Sequence, residues 1–187
     1  VVTAFVRPGP AFGSNPGREA VRPITFAAAL ILPMVIAARS EAQQAVYLLR
    51  HAEKLTDGQD GLKEKGKEHA KALVPLLKDA KIKAIYTSEF KRAQQTAEPL
   101  AASLGLTPIV VPHDKLSDTF DKIRADHPHD VVLIVGHSDS VPAMIKLWDA
   151  GLSVTIDDVT EFDRLFVLVP ISDGKASLGQ LRYHKED

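Results

Sequence analysis

The sequence predicts an α/β protein, a three-layer αβα sandwich around a mostly parallel, doubly wound sheet with an antiparallel hairpin at one edge. Three observations carry this. Short apolar runs of strand type at residues 45–49, 84–86, 108–111 and 130–135 alternate with amphipathic helical stretches, and β-α-β-α order implies parallel strands joined by helical crossovers. The runs Val46-Tyr47-Leu48-Leu49 and Val131-Val132-Leu133-Ile134-Val135 are apolar at nearly every position, as strands covered on both faces are. Asp173-Gly174 between two further strand-like runs, 164–172 and 176–183, is a hairpin signal.

The elements follow in order. The first strand, 45–49, stops on Arg50-His51 and gives way to the polar loop 56–61. A helix over 65–80 places Ala70, Leu73, Val74 and Leu77 at i, i+3, i+4, i+7, with lysines opposite. Residues 84–86 form the second strand. The second helix, 91–104, turns Ala93, Ala97, Leu100, Ala101 and Leu104 inward and stops at Gly105. The third strand is 108–111. Leu116, Phe120 and Ile123 suggest a modest helix before the His127-Pro128-His129 turn. The fourth strand, 130–135, runs into Gly136-His137-Ser138. A short helix after Val141 has Pro142 in its first turn and Gly151 beyond its end.

Composition narrows the function classes. With 23 basic and 24 acidic residues the net charge is −1, so no nucleic-acid partner is implied. There is no cysteine, which excludes disulfides, thiolate metal sites and lipoprotein anchoring. Residues 1–20, rich in Gly, Pro and small side chains, read as a disordered or non-native extension. Within 21–42, Arg22 precedes an apolar run over 24–38 broken by Pro33. A basic flank, a short apolar run and the small-x-small exit Ser40-Glu41-Ala42 predict a secretory signal peptide cleaved after Ala42. That makes 43–187 an exported domain, periplasmic or secreted, without stable membrane association once the leader is removed.

Two strands ending on histidine deliver His51 and His137 to one edge of the sheet, the carboxyl edge where open α/β sheets bind ligands. Leu49-Arg50-His51-Ala52-Glu53-Lys54 resembles the Arg-His signature of the histidine phosphatase superfamily, phosphoglycerate-mutase-like branch. Leu62 with Gly66 resembles the segment opening the first helix. Ser88, Arg92, Thr96 and Ala97 resemble the Ser-x-x-x-Arg-x-x-x-Thr-Ala block, and Val135-Gly136-His137-Ser138 the second-histidine motif. The likeness spans roughly 45–183.

The resemblance implies a phosphomonoesterase working through a phosphohistidine on His51, the nucleophile. His137, Arg50 and Arg92 would stabilise the transferring phosphoryl group, arginine being a permanently charged fork suited to its oxygens. Ser88, Glu53, Lys54 and Ser138 would bind substrate or line the rim. No metal or cofactor is implied, because arginine and histidine supply the charge. An alkoxide leaving group needs an acid; Asp114, directly after the third strand, is preferred over Asp118. Asp139 stands where related small members would carry Asn. His127, His129 and Asp130, like His113-Asp114, read as solvated turn residues rather than metal ligands, and His69 and His184 as surface. The short stretch between Val111 and Gly136 leaves room for only a minimal lid, hence broad access for small phosphorylated substrates. Two other readings stand beside this one: a protein phosphohistidine phosphatase, and a non-catalytic phosphate- or phosphosugar-binding protein.

Overall fold

Among the described residues, the chain forms β1 (Ala45–Arg50), α1 (Glu64–Leu77), β2 (Ile82–Ser88), α2 (Lys91–Leu104), β3 (Ile109–Val111), α3 (Leu116–Asp126), β4 (Val131–Gly136), α4 (Ser140–Trp148), β5 (Arg164–Ser172) and β6 (Lys175–Arg182). The structure, a computed structural model, describes residues 45–183 apart from 57 and 173, and the side chains of 116, 117 and 172 are likewise outside the description. The predicted extension 1–20, the leader 21–42 and His184 lie outside the described residues.

The six strands make one mixed sheet in the order β3-β2-β4-β1-β5-β6. β1, β2, β3 and β4 are mutually parallel, whereas β5 runs antiparallel to β1 and β6 antiparallel to β5. The parallel, doubly wound core with an antiparallel edge hairpin is therefore as the sequence predicts.

Strand side chains alternate between two faces, and each face carries its own core. Val46, Leu48, Val132, Ile134 and Phe166 pack with Phe120 and Ile123 of α3 and Val141, Met144, Ile145 and Trp148 of α4. Leu49, Leu133, Val135 and Leu165 pack on the opposite face with Leu73 and Leu77 of α1 and Ala93, Ala97 and Leu100 of α2. Burying each such Leu, Ile or Phe is worth roughly 1.5–3 kcal/mol.

Most boundaries shift by a residue or two, and two of the departures are instructive. α1 ends at Leu77 rather than 80, giving way to a turn in which the Ala80 N–H donates to the Leu77 carbonyl and Lys81 takes a positive φ of 58°. β2 starts at Ile82, two residues early, because a register irregularity between Ile82 and Ala84 puts Ile82 and Ile85 on one face. An extra residue breaks the period-2 pattern by which a strand is recognised. α2 keeps its predicted bounds, closed by Gly105 at φ +66°, a conformation glycine adopts without strain.

Candidate active site

Strand register assembles the site. Arg50 of β1 pairs with Gly136 of β4, so the next residues, His51 and His137, emerge side by side. The His51 N–H donates to the Gly136 carbonyl at 2.9 Å, and the two rings lie 5.0 Å apart, edge to face. On the other side of β4, β2 ends at Ser88, whose Oγ is 2.8 Å from His137 Nε2. β3 comes next, and two residues past its end the His113 ring stands 4.7 Å from that of His137. Four neighbouring strands thus each bring one polar group to the carboxyl edge. His51 and His137 are only 4% and 6% exposed.

The contacts of His51 fix its tautomer. Its Nδ1 lies 2.7 Å from the Ala52 carbonyl, which can only accept, so Nδ1 carries the proton. Nε2 then presents a lone pair, and Arg92 Nε–H donates to it at 3.2 Å. Burial, aided by the charges of Arg50, Arg92 and Lys54 and opposed by the Ala52 carbonyl bond, pushes the pKa of His51 down to about 4. His137 is pushed down to about 3, chiefly by burial and by the neighbouring His51, Arg92 and His113. Both imidazoles are neutral at pH 7.

Arg92 sits in the first turn of α2, where backbone N–H groups favour anions. In this structure a carboxylate of the same chain lies there. Asp60 accepts from the Lys91 N–H at 2.6 Å, the Arg92 N–H at 3.3 Å and Arg92 Nη1 at 3.0 Å. Burial works against its charge, but these bonds hold its carboxyl below the usual range. The Arg92 guanidinium also lies 4.1 Å above the Phe90 ring, which packs edge-on against His137 and His113.

Arg50, expected to face phosphate, has its guanidinium engaged by backbone carbonyls in this structure: Nη1 donates to those of Asp157 and Glu161 at 2.9 and 3.3 Å, and Nη2 to that of Asp158 at 2.6 Å. Its guanidinium stacks 4.0 Å over Phe162, and burial lowers its pKa against the pull of Asp158 and Asp157. Arg50 fastens the 157–162 loop.

Glu53 is not at the rim either. It is buried, with Oε2 at 2.7 Å from Nδ1 of His69, which is 1% exposed rather than on the surface. Gly66 makes that packing possible, because a Cβ there would lie 2.3 Å from the Glu53 carbonyl oxygen. Nearby, Thr96 Oγ1 accepts from the Ala52 N–H at 3.0 Å, steadying the turn after His51. Lys54 is exposed and lines a crevice with Asp60 and Arg92, consistent with a rim position. Ser138 is half-buried beside His137, with no hydrogen bond from its hydroxyl among the described residues.

Asp114 lies exposed on a single 3₁₀ turn, His113–Lys115, and among the described residues no hydrogen bond or ion pair joins it to His51 or His137. Asp118 is exposed on α3. The residue brought to the site from this segment is His113. Its backbone N–H donates to Glu89 Oε2 at 2.7 Å, and its Nε2 lies 3.3 Å from Asp139 Oδ1. His127, taken as a solvated turn residue, instead bridges Asp130 and the Tyr86 hydroxyl at 3.0 Å each.

Sequence reasoning missed His113, Phe90, Asp60 and the 157–162 loop as site components. None carried a signal in the sequence, since each is brought to the site by tertiary contact: Asp60, for one, reaches the start of α2 from 31 residues before Lys91.

Taken together, these features define an α/β protein with paired neutral histidines and an arginine-bearing helix N-terminus at the carboxyl edge of a parallel sheet. Residues 46–116 match the family model for the histidine phosphatase superfamily (branch 1). That stretch is less than half of the chain, and the fold is similar to that of solved histidine phosphatases. No curated protein sequence matches it. The protein histidine phosphatase SixA, solved with tungstate, is 20% identical at a TM-score of 0.61, over 74% of this chain and 96% of that one. The alpha-ribazole phosphatase from Shigella flexneri is 18% identical at 0.58, covering 77% and 100%. The mycobacterial glucosyl-3-phosphoglycerate phosphatase, solved with VO3, is 16% identical at 0.56, covering 73% and 97%. At these identities the likeness is one of fold.

Proposed function

We propose that the chain is a metal-independent phosphomonoesterase in which His51 Nε2 attacks phosphorus and forms a phosphohistidine that water hydrolyses. The observation that carries this reading is the fixed tautomer of His51: Nδ1–H bound to the Ala52 carbonyl and a bare Nε2 beside Arg92. A neutral imidazole with its lone pair directed into a cationic site is a nucleophile ready at pH 7. Arg92, the N-terminal turn of α2 and Ser88 would hold the phosphoryl oxygens. His137, neutral in the ligand-free protein, would gain its proton as phosphate charge arrives and stabilise the equatorial oxygens. Two fold neighbours are solved in complex with phosphate-like oxyanions, tungstate and VO3, which supports the reading.

The test is hydrolysis of p-nitrophenyl phosphate with EDTA present, beside His51→Ala. Turnover that survives chelation and disappears in the variant supports the reading. Turnover abolished by EDTA, or kept in the variant, refutes it.

A second reading has one observation in its favour. The fold resembles that of a protein histidine phosphatase, and only a 3₁₀ turn and α3 stand between β3 and β4, which leaves the edge open to a protein-borne phosphohistidine. Faster dephosphorylation of a phosphohistidine protein than of small esters would select it. Phosphate binding without turnover would leave a non-catalytic binding protein. Export through a leader at 21–42 is part of the proposal and rests on the sequence alone.

A further inference from the structure

We propose that His113, held by Asp139, is the acid–base residue that serves the leaving group, an inference that rests on the phosphomonoesterase reading above. Its position carries the argument. His113 follows β3 on the edge that holds His51 and His137, with its ring 4.7 Å from His137 and 5.9 Å from Phe90. It is fixed at two points, by Glu89 at its backbone N–H and by Asp139 at Nε2. Its side chain is 32% exposed, so it borders both the buried histidine pair and the solvent from which an alcohol-bearing substrate enters. It also lines the cleft shared with Ser88, Thr87 and His137.

Asp139 does for His113 what a carboxylate does for any acid–base imidazole: it takes one ring nitrogen and sets the orientation of the ring. Asp139 is itself pinned, accepting from the Ser140 N–H at 2.6 Å at the start of α4. Burial opposes its ionisation, but the bonds from His113 and Ser140 keep its carboxyl below the ordinary range. With Nε2 facing Asp139, Nδ1 is the nitrogen that exchanges a proton with a ligand.

In the first step the His51 Nε2–P bond forms and the P–O bond to the alcohol breaks. The proton on His113 goes to the departing alkoxide, leaving a free alcohol and a neutral His113. In the second step water attacks phosphorus, its proton passes to His113, the P–N bond breaks and inorganic phosphate leaves. His51 is again neutral and His113 again protonated, so the cycle closes with no other reactant.

A general acid matters in proportion to how poor the leaving group is, and contributes typically about 10²–10⁴-fold. The experiment compares His113→Gln with the wild-type chain in a rapid-mixing assay on two substrates, glycerol 2-phosphate and p-nitrophenyl phosphate. His113→Gln should slow phosphorylation by the glycerol ester by about 100-fold or more, while the burst of p-nitrophenolate stays within a few-fold of wild type. Asp139→Asn, a change in a positioning residue, should give the same selectivity at smaller amplitude. A purely structural role would slow both substrates alike. Equal slowing of both, or no slowing of the alkyl ester, in both variants overturns the inference while wild-type turnover leaves the phosphatase reading standing. A wild-type chain that shows neither burst nor turnover overturns both.

Discussion

At the scale of single residues, direction decides function. Arg50 and His51 are adjacent, yet one donates to carbonyls of the 157–162 loop and the other accepts from Arg92. The motif Arg50-His51 could be read from the sequence, but not which partners each side chain would find, since those of Arg50 lie in a loop far along the chain. The same holds for Glu53, whose partner His69 lies across a glycine-permitted contact. Proton linkage gives a prediction here. His51 and His137 titrate near 4 and 3 when folded, against about 6.5 in an unfolded chain. As pH falls from about 6.5 toward 4, the unfolded chain takes up protons at these positions that the folded chain refuses. Stability should therefore fall across that window and gain nothing from these groups above it. Urea midpoints at pH 7.5 and 5 check this, and a His51→Gln, His137→Gln double variant should show a smaller drop. Asp60→Asn removes a tethered anion from Arg92 and the start of α2. Inorganic phosphate should then inhibit at several-fold lower concentration, as read by its inhibition constant.

At the scale of elements, what was legible had strong local period. α2 was readable to its ends because five apolar positions share one face and Gly105 closes it. β2 was readable only at its centre, because the bulge at its start exchanges the faces. The four-strand row that assembles the site could be anticipated only in part: the two histidine-ending strands announced themselves, but that β4 lies between β1 and β2 is a matter of topology. Hence His113 escaped notice as a site residue, although its strand was identified. Gly66 tests the joint between α1 and the loop after His51. Gly66→Ala sets a Cβ against the Glu53 backbone, a clash with no flexible group to yield. Overpacking of this kind costs typically about 1–3 kcal/mol, measurable as a lowered urea midpoint, with slower turnover from a displaced His51.

At the scale of the whole molecule, all proposed chemistry lies on one edge of the sheet, fed by the ends of β1, β2, β3 and β4. Among the described residues no helix is long and apolar enough to cross a membrane. N-terminal sequencing of material recovered outside the cytoplasm should begin at Gln43 if the leader at 21–42 is removed as proposed. β1 begins at Ala45 and ends at Arg50, so the chain enters at the edge opposite His51, about 20 Å away at roughly 3.3 Å per residue. Whatever precedes Ala45 is thus joined at the pole of the domain remote from the chemistry.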